Sequence, residues 1–326
     1  MMIRRSIRYL ALLLAGLASL AASPAAGAQW SWPWSSGGGK PVVVEVLDVG
    51  QGDSILIRSP EGKTALIDAG PTKEGALEVL KRKGITHLDL VAISHHHSDH
   101  YEGMEEVVRA LRPRYFLASQ SGHSTRTYLK LLHTVEAQSI TAIQPTPRPR
   151  KIELGSVELT ILPQAPEDRK EENNNSVGIR MKYGSFSAFF PGDSEGPERL
   201  WWLEKHADLV RDCTIVKLAH HGSRNGTDAR WLDAVRPELA VASMGRNNEF
   251  GHPHAETLSL LRRRQVPLLR TDQLGTITLE SDGRGWNVLR PALARGGRPT
   301  QADIDRVASA TRVDERPSSP RRTTVR

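Results

Sequence analysis

The chain has 326 residues, of which 38% are hydrophobic and 25% charged, and its formal net charge is +7. This length allows a sizeable hydrophobic core and suits one domain of about 250 residues with tails. The single cysteine, Cys213, excludes an internal disulfide.

The positive charge lies at the two ends of the chain. Residues 1–28 hold three arginines and no acidic residue, and residues 291–326 hold eight arginines and four acidic residues. The region between them, 29–290, therefore holds 33 basic and 33 acidic residues and is formally neutral. The net charge therefore does not indicate a nucleic-acid-binding domain, and any basic groove must come from the local arrangement of basic side chains.

Residues 1–28 have the pattern of a secretory signal peptide. A start with three arginines precedes an apolar run over residues 9–22, and the small-residue sequence AGA is typical of a cleavage site before Gln29. A retained membrane anchor is the alternative, which Pro24 disfavours. We expect export to the periplasm or the extracellular space, with no stable membrane insertion after cleavage.

The exported chain is predicted to have three parts. Residues 29–40, rich in Trp and Gly, predict a flexible linker. Residues 41–290 predict the hydrolase domain described below, and residues 291–326 predict a basic, disordered tail.

Within the domain, strands alternate with helices. The predicted strands are 42–47, 55–57, 64–67, 88–93, 115–118, 152–154, 157–162, 177–183, 186–190, 215–219, 239–243, 268–271 and 275–279. The predicted helices are 74–83, 101–111, 124–136, 196–206 and a last one after residue 254. Such interleaving predicts an α/β fold with two sheets between helical layers, whose strand ends carry the polar motifs to one edge.

The heptapeptide SHHHSDH follows one of these apolar strands and predicts a metal site. Successive side chains of an extended segment point to opposite faces, so His95 and His97 can hold one ion while His96 points away. Asp99 and His100 follow at a turn and can supply an oxygen and a nitrogen to a second ion. Imidazole with carboxylate suits zinc, manganese or iron rather than calcium. The alternative is a solvated histidine-rich loop.

Two later strands also end in residues that can bind metal. Asp193 follows the aromatic sequence SAFF, where a metal ion would stabilise a carboxylate beside an apolar wall, and its two oxygens can bridge two ions. His220 and His221 end another strand, and adjacent side chains point in opposite directions, so only one need be a ligand. The flexible Gly222 that follows favours His221.

Other polar residues have supporting or catalytic roles in this prediction. Asp68 ends a strand beside the site and is expected to orient the histidine loop by hydrogen bonds. Asp99 can hold or deprotonate the attacking water. Negative charge that develops on the substrate would be met by a donor such as His252, Asn175 or Ser223.

The motifs DVGQGD, LIDAG, SHHHSDH, NNNSV, FPGDSE, AHHGS and GHPH stand in this order over residues 48–254. This set resembles the hydrolase domain of ComEC-type competence proteins and their secreted stand-alone relatives, which have the metallo-β-lactamase fold. The resemblance implies a four-layered αβ/βα sandwich with two divalent metal ions, Zn or Mn. The ligands that it implies are His95, His97, Asp99, His100, Asp193 and one of His220 and His221.

The sequence departs from zinc-dependent β-lactamases at one ligand. The histidine that those enzymes place before the bridging aspartate has no clear counterpart, because His123 and His133 lie in a predicted helical region. An asparagine carbonyl from residues 173–175 can substitute for it, as in ComEC-like chains. Manganese is therefore a candidate beside zinc.

We predict a secreted two-metal phosphodiesterase or nuclease, with nucleic acid or another phosphodiester as its substrate. A carbon-ester or amide hydrolase of the lactonase or β-lactamase type is an alternative, and so is a non-catalytic binding domain on the same scaffold. The neutral domain weakens the nuclease prediction, because grooves that follow phosphates usually have excess Lys and Arg. Lys217, Arg224 and Arg246 can line a modest groove or only solvate its rim.

Overall fold

The computed structural model describes residues 39–289 and the single residue Ala302. The predicted signal peptide, the linker up to residue 38 and almost all of the predicted tail lie outside the described residues. No helix among the described residues combines the length and hydropathy that crossing a lipid bilayer requires.

The described residues form strands and helices that alternate along the chain. The strands are β1 (Val42–Val46), β2 (Ile55–Arg58), β3 (Thr64–Ile67), β4 (Leu90–Ala92), β5 (Tyr115–Leu117), β6 (Thr141–Ile143), β7 (Arg150–Leu154), β8 (Val157–Ile161), β9 (Ile179–Tyr183), β10 (Phe186–Phe190), β11 (Ile215–Lys217), β12 (Leu239–Ala242), β13 (Leu268–Arg270), β14 (Ile277–Ser281) and β15 (Trp286–Val288). The helices are α1 (Gly75–Arg82), α2 (Ser98–Tyr101), α3 (Met104–Leu111), α4 (Arg126–Ala137), α5 (Gly196–Lys205), α6 (Ala207–Val210), α7 (Ala229–Val235), α8 (Ala255–Arg263) and α9 (Thr271–Leu274). Short 3-10 turns lie at Glu172–Asn175 and Ala219–Gly222.

The strands form two mixed sheets. The order of the first is β15-β14-β1-β2-β3-β4-β5-β6, and that of the second is β13-β12-β11-β10-β9-β8-β7. Neighbours from β3 to β6 are parallel, as are neighbours from β10 to β13. The last two strands return to the first sheet, where β14 pairs antiparallel with β1. Each sheet therefore has a parallel half, and the loops after the carboxyl ends of such strands are where α/β proteins place their sites.

Three apolar clusters lie between four layers. One fills the space between the sheets, the second packs the first sheet against α1, α3 and α4, and the third packs the second sheet against α5, α7 and α8. Strand β4 belongs to two of them, since Leu90 and Ala92 face the other sheet while Val91 faces the helices. The predicted four-layered αβ/βα sandwich is confirmed.

The helix predicted over 101–111 begins later, at Met104, and a separate short helix, α2, precedes it over Ser98–Tyr101. The chain breaks between α2 and α3 at Gly103, where a Cβ atom would collide with the carbonyl oxygens of Ala69 and Thr72. This close approach joins the short helix α2, which carries Asp99 and His100, to the loop after β3.

The elements β6, β15, α6, α7 and α9 were not predicted from the sequence. The two strands have only three residues each, too few to show an alternating pattern.

Candidate metal centre

The polar residues that follow β3, β4, β10 and β11 meet at one edge of the two sheets. The side chains involved are buried although they are ionisable: His95, His100, Asp68, Asp193 and His221 are each at most 2% exposed. Burial of so many titratable groups is costly unless they pair with one another or with an ion. At this edge the groups pair with one another, and the donor atoms that stay unpaired are available to an ion.

Four donor atoms converge at this edge. The Nε2 of His221 lies 3.2 Å from Asp99 Oδ2 and 3.3 Å from Asp193 Oδ2. The Nε2 of His100 lies 3.2 Å from Asp193 Oδ2 and 3.7 Å from Asp99 Oδ2. Ligands placed tetrahedrally at the usual zinc distances are about 3.3 Å apart. Because His100 Nε2 is also buried with no hydrogen bond, these four side chains fit a divalent transition-metal ion.

His95 and His97 form a second set of donors beside the first. The Nε2 of His95 is 3.1 Å from the Nδ1 of His97, and the His95 ring lies 4.2 Å from the His100 ring. Among the described residues, no third His, Cys or carboxylate completes this pair to three donors within 4.8 Å of one another. The described residues therefore hold one four-donor set, one three-donor group formed by Asp53, Asp68 and His100, and one two-histidine set.

Hydrogen bonds fix which nitrogen each histidine presents. Asp68 Oδ2 accepts from His100 Nδ1 at 2.8 Å, and the carboxylate also accepts from the Ser94 amide at 2.7 Å and from the Ser94 hydroxyl at 2.8 Å. His221 Nδ1 donates to the Ser243 carbonyl at 2.8 Å. Because both Nδ1 atoms are used in this way, the Nε2 atoms are left for the four-donor set. Asp68 thus holds the histidine loop.

Behind the donors lies a buried ion pair, Lys217 with Asp53, whose role sequence reasoning missed. The Lys217 ammonium contacts Asp53 Oδ2 and lies 3.3 Å from Asp193 Oδ1. Both alternatives predicted for Lys217, lining a modest groove or solvating its rim, are wrong, because this residue is only 1% exposed. The signal was a lysine within the apolar strand sequence IVKLA, which indicates a buried charge that needs a partner.

Lys217 also changes how Asp193 can act. The sequence suggested that both carboxylate oxygens bridge two ions, but Oδ1 lies beside Lys217, so Oδ2 is the oxygen that faces the histidines. Burial opposes ionisation of this carboxyl, yet the adjacent side chains of His221, His100 and Lys217 outweigh burial and hold the pKa of Asp193 well below its usual value. Asp193 is therefore an anion.

The two histidines of the AHHGS sequence point to different places. His220 and His221 have φ angles of 49° and 53°, and Gly222 follows with 84°. A left-handed conformation costs a non-glycine residue roughly 1–2 kcal/mol, and here it turns the chain so that the two rings are inclined by 71°. His221 enters the four-donor set, whereas His220 Nδ1 lies 3.0 Å from Glu195 Oε1 at the rim.

His252 lies at the same rim. Its ring stacks 6.0 Å from the His221 ring at an angle of 24°, and its Nδ1 is buried without a hydrogen bond. Burial, together with the charges of His221 and His220, lowers the pKa of His252 to about 4. This imidazole is therefore neutral at neutral pH.

Asn175, a predicted donor, is occupied by local hydrogen bonds: its Nδ2 donates to the Asp168 carbonyl at 2.9 Å and its Oδ1 accepts from the Asp168 amide at 2.9 Å. Ser223 Oγ accepts from the Asn225 amide at 3.3 Å, which still allows the hydroxyl to donate its hydrogen. Within the three-asparagine sequence it is Asn173 whose Oδ1 is buried without a hydrogen bond, while its Nδ2 lies 3.5 Å from His220 Nδ1. The open carbonyl thus belongs to Asn173 and not to Asn175.

Comparison with known proteins gives a family match and several relatives. A family profile described as the Metallo-beta-lactamase superfamily matches residues 47–246. ComE operon protein 3 of Bacillus subtilis (strain 168) is 28% identical over 254 residues, which cover 72% of this chain and 32% of that protein. Competence protein ComA of Neisseria gonorrhoeae is 28% identical over 248 residues, covering 72% and 31%. Recombination protein 2 of Haemophilus influenzae is 26% identical over 245 residues, covering 72% and 28%. The matched region spans about a third of these relatives or less.

Solved structures show the same fold. CmlA, a diiron beta-hydroxylase from Streptomyces venezuelae, superposes with a TM-score of 0.53 at 17% identity, covering 74% of this chain and 54% of that one. The metallo-beta-lactamase fold protein YhfI from Bacillus subtilis superposes with a TM-score of 0.52 at 13% identity, covering 74% and 100%. At these identities the likeness concerns the fold alone.

Proposed function

The chain belongs to the metallo-beta-lactamase superfamily, and we propose that it is an exported two-metal phosphodiesterase that cleaves nucleic acid. The observation that carries the proposal is the pairing of two donor sets at one edge of the two sheets. Asp99, His100, Asp193 and His221 converge within 4.8 Å, and the His95–His97 pair lies beside them. Two divalent ions at such a site supply Lewis acidity and lower the pKa of a water molecule, which suits in-line displacement at phosphorus.

The protein residues divide the remaining tasks. The side chain of Asp99 is 29% exposed whereas that of Asp193 is 3% exposed. Because it reaches solvent, Asp99 is the carboxylate that we assign to take a proton from an attacking water and pass it on, while Asp193 stays inside the site. On the rim, His252 offers a neutral imidazole to an oxygen on which negative charge develops.

The names of the relatives support nucleic acid as the substrate. Competence and recombination are processes that act on DNA, and three relatives carry these processes or the ComE operon in their names. Because this chain spans about a third of those proteins or less, their activity comes to it as a proposal. Manganese or zinc would fill the site, since imidazole and carboxylate donors suit both.

The test uses the chain from Gln29 onward, loaded with manganese or zinc. We expect it to hydrolyse bis-p-nitrophenyl phosphate and to degrade single-stranded DNA, and we expect His97→Ala to abolish both activities. His133→Ala is the matched control, because His133 is exposed on α4, outside both donor sets. Turnover of nitrocefin or an acyl-homoserine lactone without phosphodiester cleavage would favour the carbon-ester or amide hydrolase instead. A protein that binds no metal by elemental analysis would favour a binding domain.

Export is tested separately. We expect the full chain, expressed in a bacterium with a carboxyl-terminal tag, to leave the cytoplasm and to begin at Gln29 by amino-terminal sequencing. A cytoplasmic protein that keeps its first 28 residues would contradict this part of the proposal without affecting the catalytic part.

A further inference from the structure

An exposed phenylalanine lies next to the rim of the metal centre. Phe250 is 63% exposed, more than any other large hydrophobic side chain in the described part of the chain. The other three exposed ones are leucines on α4 and α5, so Phe250 is the one within the loop that carries His252. Single exposed apolar residues are normal on a protein surface, and position beside the site is what sets this one apart.

The Phe250 ring is stacked in line with the site. It lies 5.7 Å from the His252 ring at an angle of 21°, and the His252 ring lies 6.0 Å from the ring of His221 at 24°. Phe250 therefore stacks on His252, which in turn stacks on His221, a member of the four-donor set. An aromatic ring presented this way offers a flat apolar face beside the place where a phosphodiester would be cleaved.

The loop that presents the ring is held by its own hydrogen bonds. Asn248 Oδ1 accepts from the His252 amide at 2.8 Å, and Asn248 Nδ2 donates to the His252 carbonyl at 3.0 Å. His254 Nε2 lies 3.1 Å from the Phe250 carbonyl oxygen. A ring on a loop that is already ordered loses little conformational freedom when a ligand stacks on it.

A second observation indicates a ligand at the same place. His252 is 7% exposed and its Nδ1 has no hydrogen-bond partner. Buried polar atoms nearly always have a hydrogen-bond partner. An unpaired polar atom at the rim therefore indicates that a ligand supplies the missing partner. The rim thus combines an exposed apolar ring with a buried nitrogen that has no hydrogen-bond partner, and these are the kinds of group that contact the base and the phosphate of a nucleotide.

We propose that Phe250 is a stacking platform for the nucleobase that flanks the scissile phosphate, and that His252 contacts that phosphate. This inference rests on the proposed phosphodiesterase function and narrows its substrate to single-stranded nucleic acid. In a duplex the faces of a base are covered by its neighbours, whereas an unpaired base leaves a face for an aromatic side chain. Stacking on an aromatic ring is tolerant of base identity, so broad sequence preference is expected.

The test measures how much binding depends on the bases. A fluorescent oligothymidylate and an abasic strand of equal length are each titrated with the His97→Ala protein in the presence of manganese. The His97→Ala substitution prevents cleavage during the titration. The measured ratio is the dissociation constant of the abasic strand divided by that of the oligothymidylate. Phe250→Ala is expected to reduce this ratio roughly 5- to 100-fold, the range for loss of one base–aromatic stack. Phe250→Trp is expected to keep it. Leu200→Ala, which removes an exposed side chain on α5, serves as the matched control and is expected to leave the ratio unchanged.

The outcomes separate the two proposals. If the protein cleaves phosphodiesters but Phe250→Ala weakens both strands equally or neither, the stacking platform is refuted and the phosphodiesterase stands. A Phe250→Ala protein that loses only acyl-lactone turnover also refutes it. Failure of the unsubstituted protein to cleave phosphodiesters or to bind either strand overturns both proposals. A thermal unfolding curve of Phe250→Ala that matches the parent protein excludes misfolding as the cause.

Discussion

Replacing Lys217 with methionine tests the buried ion pair behind the metal centre. The substitution keeps most of the side-chain length but removes the charge that faces Asp53 Oδ2 and Asp193 Oδ1, and both partners are at most 2% exposed. Breaking a buried pair by removing one partner costs about 3–5 kcal/mol, because the other charge is left unpaired. In a domain of this size each kcal/mol lowers Tm by about 2–4 °C, so we expect a fall of roughly 6–20 °C.

The assay is thermal unfolding of the metal-free protein followed by circular dichroism. Lys63→Met is the matched control: its ammonium lies 3.0 Å from Asp89 Oδ1, but its side chain is 55% exposed, so the loss should be at most about 1 kcal/mol. The double substitution Lys217→Met with Asp53→Asn should recover part of the stability, since it removes the unpaired carboxylate as well. If Lys217→Met and Lys63→Met lower Tm by the same amount, the reasoning about the buried pair is refuted.

Three further predictions concern metal affinity and pH. Asp68→Asn replaces the carboxylate that accepts a hydrogen bond from His100 Nδ1. We expect this substitution to weaken manganese binding about 10- to 100-fold, as measured by calorimetric titration. Unchanged affinity would show that Asp68 does not orient this ligand. Adding manganese to the chelated protein should raise Tm, since an ion at 100 times its dissociation constant adds about 2.7 kcal/mol, and the His97→Ala protein should gain less than the parent. Burial raises the pKa of Glu198 well above its usual value of 4.5, so the folded state keeps a proton that the unfolded chain releases as pH rises past that value. The contribution of Glu198 to stability should therefore decline as pH rises above about 4.5, and urea midpoints should show Glu198→Gln gaining on the parent as pH rises above that value; parallel curves would contradict this.

Much of the fold could be predicted because its determinants are local. The run from Leu88 to Ile93 is apolar on both sides, and this is what a strand between the other sheet and a helical layer requires. Breaks in the pattern were harder to see. The interruption between α2 and α3 depends on how closely Gly103 approaches the loop after β3, and a sequence window around Gly103 contains nothing about that loop.

The candidate site shows the same division. The sequence prediction that His95 and His97 face the same place agrees with their donor nitrogens, which lie 3.1 Å apart. The reason differs from strand alternation, because β4 ends at Ala92 and the backbone bends over residues 94–96. For the adjacent residues His220 and His221, the sequence did not show which of the two enters the four-donor set. The left-handed turn at residues 220–222 directs His221 inward and His220 to Glu195, and backbone dihedrals of this kind follow from the packing of the surrounding chain.

By itself, the sequence determined the layered α/β fold, the histidine motif after β4 and the resemblance that unites the motifs, because these depend on periodicity and spacing within short segments. Only the tertiary structure decided that Lys217 is buried against Asp53 and Asp193 and that Phe250 lines up with His252 and His221. These contacts join residues on different strands and loops. Their distances are set by sheet register and by the packing of two sheets against each other. No single segment of the sequence determines either of these.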